Sequence, residues 1–223
     1  MTEREALAAL LARAFDDDPT MGWVFPVAAR RERDLRRLFA ANLTHAARHG
    51  WVDRSPTGAG AAGGSTVNAA GVALWLGPGA FPMRAWQALL AGHALLSLRI
   101  GILSLRRMRR LNAYAQMQHL RTVAGPHWYL HGIGVEPDQQ RRGLGTALLE
   151  IGVARADRDR LPCYLETSRE STLPFYARFG FRVTIPGRLP PDGPPVFSLL
   201  RPAAVKRPAE LKRPTTSAAP ARD

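Results

Sequence analysis

The sequence predicts an α/β (α+β) fold, and three observations carry that expectation. Helically spaced apolar residues and short strand-like runs are interleaved along most of the chain. One strand-like run ends in a glycine-bearing turn that opens straight into a helix. Hydrophobic residues make up 46% of the 223 positions and charged residues 22%, enough apolar material for a core within one domain.

The elements follow in order. Leu7, Leu10, Leu11 and Phe15 share one helical face, and Asp16-Asp17-Asp18-Pro19 is expected to end that helix. Pro26 opens a second helix reaching His49, with Leu35, Leu38, Phe39 and Leu43 inward, and Gly50 stops it. Trp51-Val52-Asp53 reads as a short strand, 55–65 as a flexible Gly/Ala/Pro loop, and 66–76 as the next strand. After Gly77-Pro78-Gly79, two helices fill 83–123, split near Arg99–Gly101. Trp128–Val135 is a strand, Gly143–Asp157 a helix, Pro162–Thr167 a strand and Thr172–Phe179 a short helix closed by Gly180. Phe181–Thr184 and Val196–Leu200 complete the strands. From about residue 203 the chain is Pro, Ala, Lys, Arg, Thr and Ser without periodicity, a disordered basic tail.

Composition excludes several classes. A single cysteine, Cys163, forbids an internal disulfide framework and every zinc site built on paired cysteines, and it fits a reducing cytoplasmic location. The window Trp86–Leu105 is apolar but carries Gln87, His93 and Arg99, and a basic run at Arg106, Arg107, Arg109 and Arg110 follows. A buried or partly buried helix is expected, not a membrane span. The net charge of +13 attracts polyanions, yet aromatics do not interleave with the basic clusters, so no nucleic-acid partner is expected. His45 and His49 stand four apart on a helix without a third ligand, and the pair reads as a solvated face.

The most informative stretch runs from Ile133 to Leu149. A strand ends, Gln140-Arg141-Arg142-Gly143-Leu144-Gly145-Thr146 turns, and a helix begins. First-turn amides lack intrahelical partners and carry the positive end of the helix dipole, glycines let a ligand approach the main chain, and Arg141 and Arg142 add charge. That combination suits a pyrophosphate. A P-loop is excluded because no lysine separates Gly145 from Thr146; a dinucleotide fingerprint is excluded because Pro137 stands where Gly132-Ile133-Gly134 would need its third glycine. A strand-to-helix turn with glycines serving only tight packing stays open on spacing alone.

Gln140–Gly145 resembles the Gln/Arg-x-x-Gly-x-Gly/Ala motif of the GNAT superfamily of N-acetyltransferases. A second block, Leu165-Glu166-Thr167-Ser168 followed by Leu173-Pro174-Phe175-Tyr176, is similar to puromycin N-acetyltransferase-like members. The resemblance covers residues 127–184. It implies a strongly twisted mixed sheet flanked by helices, with acetyl-CoA, the acetyl donor, in a cleft where the fourth and fifth strands splay. An acetyltransferase domain is expected over 1–202, and the helical segment 83–123, longer than a bare sheet needs, is expected to wall the acceptor pocket. The pyrophosphate would meet Gln140, Arg141, Arg142, Gly143, Leu144, Gly145 and Thr146; the pantetheine would run beside Ile133, Gly134 and Val135. An asparagine that many members carry before the short helix is missing from 169–172; Thr172 offers a hydroxyl there, and the contact is expected to be weakened or rerouted, not lost.

Acetyl transfer to an amine requires a proton acceptor for the ammonium and a proton donor for the departing thiolate. Tyr176 is the expected donor: it is turned about 100° from the packing face of Phe175 and Phe179, and by resemblance it faces the sulfur. His131 is the first base candidate. Alternation puts it on one side of the strand with Tyr129, Ile133 and Val135, and arylalkylamine N-acetyltransferases use a histidine on the corresponding strand. Glu166 ranks third, as proton acceptor or anchor for a cationic substrate. Each also has an ordinary core role open to it. The expected function is acetylation of a small-molecule primary amine in a ternary complex; the alternatives are a protein or peptide N-acetyltransferase and a non-catalytic acyl-CoA-binding regulatory module.

Overall fold

The structure is a computed structural model, and it describes residues 1–55, 69–190 and 192–204. The expected loop beyond Ser55, the start of the expected second strand at 66–68 and the expected tail beyond 204 lie outside the described residues.

Among the described residues, six strands form one sheet in the order β1-β2-β3-β4-β6-β5. They are β1 (Gly50–Ser55), β2 (Gly71–Leu76), β3 (Trp128–Val135), β4 (Cys163–Thr167), β5 (Arg182–Arg188) and β6 (Pro195–Arg201). Of these, β3 and β4 pair in parallel, and the other pairings are antiparallel. The sheet is buried on both faces at its centre, as the unbroken burial of β2 shows. Val72, Leu74 and Leu76 face one core with α1 (Glu3–Ala14) and α3 (Ala28–His49). Ala73 and Trp75 face the other with α7 (Leu144–Asp159) and α8 (Leu173–Ala177). Helix α7 can lie this close because position 152 is glycine: a Cβ there would stand 2.1 Å from the Trp75 indole.

Two departures from the sequence reading have physical causes, and a third is a matter of which strands part. Asp16–Pro19 ends α1 but also starts α2 (Pro19–Val24), because Asp18 Oδ1 accepts from the amides of Thr20 and Met21 and Pro19 occupies the first helical position. The segment 83–123 holds three helices, α4 (Ala85–Ala91), α5 (His93–Arg99) and α6 (Ile102–Thr122), since Gly92 takes a left-handed φ of 92° between the first two. The strands that separate are β3 and β4, the third and fourth described.

Two ties hold α1 and α2 against the motif region. The Arg13 guanidinium donates to Glu136, just after β3, at 3.0 Å through Nε. Asp18 Oδ2 accepts from Ser168 Oγ at 2.7 Å, and Arg169 pairs with Asp17, so the α1–α2 connection is fastened to the end of β4. On the far side of the sheet, Arg155 of α7 makes a bidentate pair with Asp53 of β1 at 2.9 and 3.1 Å.

Candidate active site

The cleft begins with the register of two strands. Trp128, Tyr129 and Leu130 pair with Cys163, Tyr164 and Leu165, and there the pairing ends. Beyond it, β3 continues to Val135 held by β2, and β4 continues to Thr167 held by β6. The backbone of His131–Val135 on the β4 side therefore has no strand partner among the described residues.

At the far end of β3 the chain makes the turn that opens α7. Arg141 (φ 62°) and Gly143 (φ 84°) are both left-handed. Gln140 Nε2 donates back to the Val135 carbonyl at 3.2 Å and ties the turn to the strand. Gly143 caps α7 without a side chain, so the first-turn amides have no capping partner. A Cβ at Gly143 would meet nothing within 4 Å, and one at Gly145 would meet only Phe175 and Val135, at 3.8 and 3.9 Å. Open space thus lies over unpartnered amides beside two exposed arginines, and a pyrophosphate fits there. At Gly134 a Cβ would come within 2.9 Å of Leu11 and 3.0 Å of Ala14, so this glycine lets α1 rest on β3. The Thr172 hydroxyl donates to the Arg169 carbonyl at 2.7 Å and accepts from the Thr167 hydroxyl at 3.1 Å, so it has no proton to offer a ligand.

Tyr176 packs in the core shared with Leu130, Leu165 and Leu148, and its ring meets Phe181 edge-on at 6.1 Å. Phe175 and Phe179 do share a face, at 5.5 Å. Burial, with the Asp18 carboxylate adding, holds the Tyr176 hydroxyl well above the usual tyrosine range, so it carries its proton at neutral pH.

On the opposite face of the sheet, the pair Tyr129 and Tyr164 stands one register before the last one, Leu130 with Leu165, after which the strands part. Each hydroxyl donates to one oxygen of Glu166 at 2.7 Å. Burial pushes the Glu166 carboxyl up to about 7, and the two hydrogen bonds offset part of that rise. Helix α6 lies over this group: His119 stacks 4.4 Å from the Tyr164 ring, and its Nε2 is 2.7 Å from His127 Nε2. Burial, with the charge of Glu166 contributing, also raises the Tyr114 hydroxyl of the same helix.

His131 is where alternation fails. Leu74 faces Gly132 and Trp75 faces Leu130, so His131 is an extra residue, a β-bulge. Tyr129 consequently packs in the α1–α3 core while Ile133 and Val135 pack against the other. The expectation that Tyr129, His131, Ile133 and Val135 share a side is overturned by this one residue. Neither ring nitrogen of His131 has a partner among the described residues. Burial, with His93 and His45 adding, holds its pKa down to about 3. His45 is itself buried, with Nε2 3.2 Å from the Ala80 carbonyl, so the solvated-face reading of that position is corrected. Cys163 is buried and its thiol is pushed up to about 12, which makes it inert as a nucleophile.

Sequence reasoning missed Tyr164 and Asp18. Tyr164 stands two positions from Glu166 on one strand, which places both on the same face and is a readable signal. The reach of Asp18 to Ser168 spans 150 residues and leaves no local trace.

A mixed sheet opened between two parallel strands, with an uncapped glycine turn at its mouth, is the fold of the GNAT acetyltransferases. Residues 84–181 match the model of the Acetyltransferase (GNAT) family. An uncharacterized N-acetyltransferase of Schizosaccharomyces pombe is 31% identical over 118 residues, half of this chain and 47% of its own length. Mycothiol acetyltransferase of Clavibacter sepedonicus is 35% identical over 71 residues, 27% of this chain and 23% of its own. The matches therefore span about half or less of these two relatives. A Corynebacterium glutamicum structure described as histone acetyltransferase HPA2 and related acetyltransferase superposes with a TM-score of 0.57 and 25% identity, covering 92% of this chain and 94% of that one. These findings show the GNAT fold, and residues 84–181 resemble a family whose members use acetyl-CoA. Among the described residues no helix is long and apolar enough to cross a membrane.

Proposed function

We propose that the protein transfers an acetyl group from acetyl-CoA to the primary amine of a small molecule by direct attack in a ternary complex. The observation that carries the proposal is Glu166: a carboxyl group tuned to about 7, gripped by two tyrosines where β3 and β4 separate. Bound acetyl-CoA would supply an activated acyl group. Its pyrophosphate would be held by the Gly143–Thr146 amides with Arg141 and Arg142, and its pantetheine would lie along the open edge of Ile133–Val135. Glu166 in its carboxylate form takes the proton from the ammonium, which frees the nitrogen lone pair. Tyr176, held protonated, would give its proton to the sulfur as the bond to the acyl carbon breaks, and would regain one as the acylated nitrogen sheds its remaining extra proton. Glu166 replaces His131 as the first base candidate, because a histidine depressed to about 3 is a poor proton acceptor.

The likeness to puromycin N-acetyltransferase-like members at Leu165–Ser168 and Leu173–Tyr176 supports a small acceptor, and α6, with Tyr114, Gln118 and His119, would wall its pocket. A protein amine is the second reading, favoured by the description of the Corynebacterium structure. Free-thiol release measured with a panel of small amines and a panel of peptides separates the two. Turnover confined to peptides overturns the small-molecule reading. Absence of thermal stabilisation by acetyl-CoA overturns both.

A further inference from the structure

Helices α4 to α6 expose apolar side chains that a folded domain ordinarily covers. Trp86, Leu89, Leu90, Leu95, Leu98 and Ile102 are all at least half exposed, and Leu98 reaches 83%. Trp86, Leu89 and Leu90 form one stripe of α4, opposite the buried Gln87 and Ala91. The helical stretch across 86–105 is partly buried: Leu96 and Ile100 face inward, and most of the other apolar side chains do not. Single exposed leucines are ordinary, but six apolar residues in one short helical run mark a contact surface.

The charge of the same region narrows the partner. Between Asp53 and Glu136 the sequence has no acidic residue, while 84–122 alone holds seven arginines. Arg107 is engaged, donating to the Trp23 carbonyl at 2.6 Å and stacking over its ring. Arg99, Arg106, Arg109 and Arg110 are exposed beside Leu98 and Ile102. A symmetric contact with a second copy would set arginine against arginine. A nucleic acid would answer the arginines but leave the leucines and the tryptophan in water.

We propose that α4–α6 is a peripheral docking surface for an anionic lipid bilayer, on which the protein lies without crossing it. Apolar side chains of this kind enter the boundary between headgroups and acyl chains, and arginines beside them pair with anionic headgroups. No acidic residue within the segment opposes that attraction. The inward side of α6 keeps His119 over Tyr164, so docking uses the reverse of the same helix. This inference stands apart from the acetyl-transfer reading.

Co-sedimentation of the full chain with phosphatidylcholine vesicles, with and without phosphatidylserine, tests it. Binding should be at least about tenfold stronger with phosphatidylserine, and it should fall with added salt. The double variant Leu98→Glu, Ile102→Glu should lose about tenfold or more of that binding while keeping the parent melting temperature, since both side chains are exposed. If that variant misfolds, the triple variant Arg106→Ala, Arg109→Ala, Arg110→Ala reads the same surface through charge. Equal binding to both vesicle types, or unchanged binding by the folded variants, overturns the proposal. So does a stable dimer that the same substitutions dissolve, which would assign the surface to a second copy.

Discussion

The turn that opens α7 and the carboxyl group on β4 border the same parting of strands, yet they are built from different materials. The turn is main chain: two left-handed residues, an uncapped helix start and open space where side chains would otherwise stand. The carboxyl site is side chain: Glu166 from β4, Tyr129 from β3 and Tyr164 from β4, with α6 above. A backbone device serves a ligand part that never changes, whereas a side-chain device can be rebuilt for each acceptor. The first kind is encoded within a few consecutive residues, the second only by contacts across the fold.

Four substitutions can break or sharpen that contrast. The largest effect is expected from Glu166→Gln, which keeps the shape but removes the proton acceptor. With the most active amine of the panel, kcat should fall about 10³-fold. Acetyl-CoA binding, followed by calorimetry, should hold; a normal kcat removes Glu166 from the chemistry. Gly143→Val should act in the reverse sense. A β-branched residue at a φ of 84° costs about 1–2 kcal/mol of strain and puts methyl groups over the amides, so acetyl-CoA affinity should drop at least about tenfold. Unaltered affinity would mean that the turn is only a packing device.

Tyr176→Phe should be milder, about tenfold in kcat with little change in cofactor affinity. A thiol has a pKa near about 8.5, so the thiolate departs without help more readily than an alkoxide would. An undiminished kcat would make Tyr176 a core residue. The smallest effect is a shift of the pH profile. The proposed proton acceptor is the carboxylate form of Glu166, so kcat/KM should rise as pH passes through about 7. Tyr129→Phe removes a hydrogen bond that holds this pKa down, leaving burial less opposed, and the rise should move to higher pH. A carboxyl-carbon NMR titration of Glu166 reads the same shift without turnover; movement to lower pH would contradict the tyrosine grip.

What is legible in the sequence follows the same division. The order of the strands, the inward face of α3 and the Gly143 turn all rest on signals within one or two helical turns. Asp18-Pro19 reads as a stop although the same pair is a helix start, because capping by Asp18 shows only when the following amides turn toward it. His45 reads as solvated because a pair of residues four apart can lie on either face of a helix, and only the packing against Ala80 chooses between them. Glu166 stands out on its strand yet ranks low there, since its first tyrosine partner lies 37 residues away. His131 draws attention for its chemistry when its importance is geometric.

That geometry has a consequence for how the strand tolerates change. One supernumerary residue sets the parity of β3, so Tyr129 upstream and Ile133 downstream look to opposite cores. Exchanging a side chain there leaves parity intact. Deleting a single position would instead invert inward and outward along half the strand, so evolution can vary its letters more freely than its length.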